Sequence, residues 1–145
     1  MALVIPKESY SGKIYNVTLG SGAKAVTIGG AQVNALPFSR TGEALEVVPG
    51  LIVTQHSGEG KANQYFLRGF NLDHGPDLAI SVDGMPVNMP THAHGHGYSD
   101  LNWLLPELVN HIDYKKGPYH ADEGDFASAG AAQAESRLAI DALAA

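Results

Sequence analysis

Residues 64–88 read QYFLRGFNLDHGPDLAISVDGMPVN, a run that alternates between strand and turn chemistry. Gln64 to Phe70 is aromatic and strand-like, and Asn71 to Asp77 is a turn punctuated by Gly75-Pro76. Leu78 to Val82 is the clearest strand of the chain, and it ends at Asp83-Gly84, a strong two-residue hairpin signal. Upstream, Leu51 to Gln55 is a short strand, separated from Gln64 by a loop that holds Gly58 and Gly60. Before it, Ser39 or Thr41 caps a short helix over Gly42 to Val48, stopped by Pro49-Gly50. Downstream, Met85 to Tyr98 is rich in Gly, His and Pro and is read as irregular, Ser99 caps a helix over DLNWLL, and Val109 to Lys115 is the last strand. At the N-terminus, Lys13 to Leu19 and Ala25 to Ile28 flank Gly20-Ser21-Gly22 as a hairpin, while Glu135 to Leu143 has helical propensity. The expected fold is α+β: a small mixed β-sheet with short helices and long Gly/Pro/His-rich loops, preceded by an N-terminal β-hairpin. Ile80, Val82, Trp103, Leu104 and Ile112 are the expected core.

Composition narrows the function classes. A chain of 145 residues with 44% apolar residues suffices for one domain with a real core. Only 17% of residues are charged, against 17 Gly and 8 Pro, which suggests many turns or a surface partly covered by another body. The net charge of −6 and the lack of any Lys/Arg run argue against a nucleic-acid partner. With no cysteine, disulfides, thiolate metal sites and cysteine nucleophiles are excluded. No run approaches the ~20 apolar residues of a membrane helix, and the opening MALVIPKESYSGK is too short in apolar residues for a secretory signal peptide.

Candidate chemistry concentrates in histidines. His92, His94 and His96 alternate in THAHGHGY, so an extended segment would present all three imidazoles on one face. Neutral imidazole suits Zn²⁺, Ni²⁺ or Cu²⁺, and three such ligands plus water make a workable site. His56 and the Asp73-His74 pair lie in other loops that can converge on the same end. The competing reading is a surface loop, made pliable by Gly95 and Gly97, whose histidines bond to backbone. Asp122, Glu123 and Asp125 lack the ligand spacing of an EF-hand and read as a solvated turn. No G-x-S-x-G, H-E-x-x-H or phosphate-cradling glycine loop occurs, and no enzyme activity is expected. Gly69, Gly84 and Gly117 stand where strands end sharply, and Arg68, Glu107 and Lys116 are charges flanking strands.

Residues 40–132 resemble the plug domain of TonB-dependent outer-membrane receptors. The landmarks occur in the family's order: Val48-Pro49-Gly50-Leu51 after a short helix, Arg68-Gly69 at a strand end, Val82-Asp83-Gly84 with Pro86-Val87, then Pro106-Glu107-Leu108-Val109, Ile112 and Lys116-Gly117-Pro118. The resemblance implies a plug that occludes a β-barrel in the outer membrane, with TonB, the barrel and a metal complex or other scarce nutrient, such as a siderophore, as partners on its periplasmic and external sides. It implies that Arg68, Glu107 and Lys116 face charges on the barrel wall, and that His92, His94, His96, His56 and His74 touch incoming substrate. No cofactor is required by it. The chain runs only from Gln133 to Ala145 beyond the match, a segment expected to be a helical tail, and shows no persuasive TonB box. Residues 9–38 are more weakly similar to the N-terminus of the small subunit of the corrinoid/iron–sulfur protein, and no cofactor or activity follows from that. Residues 1–39 are accordingly expected to be a hairpin segment with contacts of its own, as in a fusion or mosaic chain. The alternative function is a freestanding module that binds metal through the His loop.

Overall fold

The computed structural model describes residues 25–37, 39–55, 60–74 and 76–138. Two sheets share one core. The larger contains β1 (Ala25–Gly29), β5 (Leu78–Val82), β6 (Met85–Pro86), β7 (Val109–Lys116) and β8 (Gly130–Ser136) in the order β1-β7-β8-β5-β6. Its pairings are antiparallel except β5 with β8, which run parallel. The smaller is an antiparallel meander of β2 (Leu51–Thr54), β3 (Gln64–Leu67) and β4 (Phe70–Leu72).

Side-chain alternation accounts for most of these strands. Leu78, Ile80 and Val82 point inward from β5, and Leu51 and Val53 do so from β2. In β7, Ile112 and Tyr114 keep this period, and an irregularity between Val109 and His111 restores Val109 to the core side. The Asp83-Gly84 signal closes a hairpin pairing Val82 with Met85; Asp83 (φ 51°) and Gly84 (φ 75°) both take the left-handed conformation that a type I′ turn requires. Ile28, Leu45, Tyr65, Leu67, Leu72, Leu101 and Ile112 join the two sheets through one buried cluster.

Several expectations are corrected. Gln64 to Phe70 is not one strand: Arg68 (φ 55°) and Gly69 (φ 84°) turn the chain back, so β3 and β4 form a second sheet rather than part of one. The segment over Gly42 to Val48 is a 3₁₀ helix, Thr41–Val47, and its entry is closed by the Glu43 carboxylate, which accepts from the backbone N–H groups of Ser39 (2.6 Å) and Arg40 (3.2 Å). Residues 100–105 form no helix after Ser99. Its buried N–H instead donates to the His74 carbonyl (2.8 Å), and the Asp100 carboxylate takes the Asn102 N–H (2.8 Å), a local turn that competes with helix. Trp103 consequently faces outward, 52% exposed, while Ile80, Val82, Leu104 and Ile112 are buried.

Both ends also differ from expectation. Ala25–Gly29 is no independent hairpin arm: it pairs along β7 from Ala25 opposite Lys115 to Gly29 opposite His111, and Ile28 enters the common core. Lys13 to Leu19 lies outside the described residues. Gln133 to Ser136, expected in a helical tail, belongs to β8, and residues 139–145 lie outside the described residues. β8 sits between β7 and β5, with Ala131, Ala132 and Ala134 all buried. Its small residues let neighbours approach closely: a Cβ on Gly130 would collide with the Lys115 carbonyl oxygen.

Candidate functional site

The turn between β4 and β5 carries Asp73 and His74. His74 is 4% exposed and holds a left-handed backbone (φ 61°), a conformation that side chains other than glycine adopt at a cost. Three bonds hold it there. Its Nδ1 lies 2.9 Å from the Ala62 carbonyl, and its own carbonyl accepts from the Ser99 N–H (2.8 Å) and hydroxyl (3.4 Å). Since a carbonyl only accepts, Nδ1 carries the hydrogen, and Nε2 is the nitrogen that faces Asp73 Oδ1 at 3.5 Å.

The His loop closes over this turn. Asn88, buried at its start, accepts the Ile80 N–H (2.6 Å) and donates to the carbonyls of Leu78 (2.9 Å) and Gly97 (3.1 Å), tying both ends of the loop to β5. Met89 and Tyr98 bridge across it. The Tyr98 hydroxyl accepts the Ala62 N–H (2.8 Å), and its ring stacks on His92 at 4.1 Å. The three alternating histidines find different partners. His94 stands edge-on to His74, with ring centres 4.2 Å apart, and its N–H donates to His92 Nδ1 (3.1 Å). His96 turns to the Pro90 carbonyl (2.8 Å). Among the described residues, the metal-ligand group that forms is Asp73, His74 and His94, whose ligand atoms all lie within 4.8 Å of one another. His92 and His96 are not in that group, since the loop carrying the three alternating histidines bends rather than running extended. His56 lies outside the described residues.

The charged residues lie elsewhere. Arg68 Nη1 is 3.0 Å from where a Cβ on Gly117 (φ 84°) would stand, and the Lys116 ammonium donates to the Pro49 carbonyl. Burial and the nearby Arg68 charge pull Lys116 below the usual lysine range. Arg68 and Lys116 therefore form one cationic end of the molecule, and Glu107, exposed on the Pro106–Leu108 turn, is not part of it. Lys115, on the same strand, faces the opposite way into Glu123 and Asp122 (3.2 Å for the latter). Burial opposes its charge, yet hydrogen bonds to these two carboxylates carry its pKa above the ordinary value. The acidic cluster is thus occupied by a lysine. Asn88, Tyr98 and Ser99 belong to the site without standing out as candidates in the sequence. Tyr98 had the one available signal, as the aromatic residue closing THAHGHGY.

The family model described as TonB-dependent Receptor Plug Domain matches residues 19–131. The chain belongs to that family. The plug match begins well before residue 40, and it takes in β1, which the structure pairs with β7. Solved plug-bearing chains share the fold. The chain is similar to the copper transporter OprC (24% identity, TM-score 0.57), covering 78% of this chain and 16% of that one. It is similar to the siderophore receptor PirA from Acinetobacter baumannii (23%, TM-score 0.58), covering 78% and 17%. It is also similar to a mutant of the ferric enterobactin receptor PfeA from Pseudomonas aeruginosa in complex with enterobactin (24%, TM-score 0.57), with coverage of 78% and 17%. This plug chain therefore spans about a sixth of the length of each of these solved chains. They are named as a transporter and two receptors, not as enzymes.

Proposed function

We propose that this plug domain occludes the β-barrel of an outer-membrane receptor and meets the incoming cargo with its His74 and His94 loops, performing no chemistry itself. The family match over residues 19–131 carries this reading. Two features of the surface support it. Arg68 and Lys116 concentrate positive charge at one end and form no ion pair among the described residues, so carboxylates of a surrounding wall can complete them. Ile52, Phe70, Met85, Trp103 and Leu105 are exposed, a pattern suited to a domain enclosed by another body. A barrel, TonB and a metal complex or small nutrient are the partners this role requires, and the outer membrane, with its periplasmic face, is the location. The shared fold with the copper transporter OprC and the siderophore receptor PirA supports copper or iron chelates as cargo classes to test first.

Fractionation tests the role. An antibody raised against residues 25–136 is expected to mark a polypeptide several times this chain's length in the outer membrane of the source cells. Removing those residues from that polypeptide should raise the ionic conductance of planar bilayers holding it. A short soluble polypeptide as the sole reactive species, or a receptor whose conductance ignores the deletion, overturns the proposal.

A further inference from the structure

We propose that Asp73, His74 and His94 bind a divalent ion of the Zn²⁺ class directly, leaving a fourth coordination position open. The proposal deepens the plug reading by naming the cargo class, and it rests on that reading only for its biological meaning.

The geometry at His74 supplies the argument. Its Nδ1–H is committed to the Ala62 carbonyl, so a neutral ring aims the Nε2 lone pair at Asp73 Oδ1, 3.5 Å away. Nε2 of His74 and Oδ1 of Asp73 are two donor atoms that one cation can bridge. Ligands ~2.1 Å from a tetrahedral zinc stand ~3.4 Å from each other, so this pair already has the spacing of one tetrahedral edge. His94 brings a further nitrogen to the same point: the three ligand atoms lie within 4.8 Å, and its exposed ring can swing inward to close the remaining gap. A proton could satisfy the Asp73–His74 pair alone; the second imidazole is what makes the set suit a metal.

The donor set also selects the ion. Two imidazoles and one carboxylate match Zn²⁺, Cu²⁺ or Ni²⁺, whereas Ca²⁺ and Mg²⁺ require more oxygen ligands than this group provides. The support around the ligands is of the kind metal sites use. A backbone carbonyl orients the buried imidazole, and the Ser99 bonds hold His74 in its strained conformation. With three protein ligands, a water or a donor from the cargo would complete the shell.

Calorimetry of the 145-residue chain with Zn²⁺ at neutral pH tests the site, with circular dichroism confirming that each variant is folded. One Zn²⁺ per chain is expected. His94→Ala and Asp73→Asn change exposed side chains, and each should weaken binding at least ~10-fold, since losing even an outer partner of a ligand costs that much. His96→Ala should bind as the parent does. The proposal is overturned if the folded parent takes up no Zn²⁺, if both ligand variants retain parental affinity, or if His96→Ala alone abolishes binding. Each of these results leaves the fractionation and conductance outcomes intact, so the metal site and the plug role fail separately.

Discussion

The five-stranded sheet and the loop over residues 88–98 are neighbours built on different principles. The sheet's interior is filled by Ile28, Leu78, Ile80, Ile112 and the alanines of β8, side chains without polar atoms whose packing is set by volume. The loop buries little apolar surface of its own. Direction-specific bonds shape it instead: Asn88 to three backbone groups of β5 and Gly97, Gly97 N–H to the Met89 carbonyl (2.8 Å), and the Tyr98 hydroxyl to Ala62. The contrast separates stability from site geometry. Changes in the sheet should act on the whole molecule at once, while changes to the loop's anchors should loosen the site more than they weaken the fold.

The hardest test of that contrast is Ile112→Ala. Ile112 is fully buried and faces Ile28 on one side and Ala134 on the other, so truncation leaves a cavity costing about 3–4 kcal/mol. Urea unfolding should show the whole loss, with sheet and loop melting in one transition; separate transitions would mean that the loop folds independently of the sheet. A smaller effect is expected for Asn88→Ala, which strands a buried N–H and two carbonyls at about 2 kcal/mol. Hydrogen exchange should then rise at Met89 and Gly97 while β7 stays protected. Uniformly faster exchange across β7 would erase the distinction between the two regions.

The smallest effect sharpens the comparison from the polar side of the sheet. The hydrogen bond from Lys115 holds the Asp122 carboxyl below the usual aspartate range. A depressed folded pKa stabilises the protein above the unfolded value of about 3.9, and the benefit disappears as pH falls through the folded value. Asp122 is exposed, so the gain is slight. Tm of Asp122→Asn should lie just below the parent at neutral pH, with the gap closing below pH ~4. A gap that widens in acid would show that Lys115 is held by something other than this carboxylate pair.

Legibility in the sequence followed the range of the interactions involved. Asp83-Gly84, the alternation of Leu78 to Val82 and the plug landmarks were readable because turn chemistry and alternation act over two to four residues. Ser99 and Trp103 were misread because an apolar run after a serine suits a helix cap locally, whereas the distant His74 carbonyl claims that serine's donors. β8 was missed for a related reason. Gly and Ala are poor strand formers by propensity, and they are favoured here only because β5 and β7 press close on both sides.

The candidate site divides in the same way. The sequence shows His74 and His94 as donors and Asp73 beside His74, but the pairing of His94 with them is not readable there.

By itself, the sequence determined the family, the mixed α+β character, the Asp83-Gly84 hairpin and the presence of imidazole donors in the loops. Only the tertiary structure decided that two sheets form, that Ala25–Gly29 joins β7, that Trp103 faces outward, and that His94 approaches His74 while His92 stacks on Tyr98 and His96 turns to the Pro90 carbonyl. The reason is physical: His94 is twenty residues from His74 along the chain, and their approach depends on bonds made by Asn88, Tyr98 and Ser99 to backbone groups elsewhere in the fold. Such bonds leave no periodic mark on the sequence, because their partners are chosen by the folded chain rather than by neighbours along it.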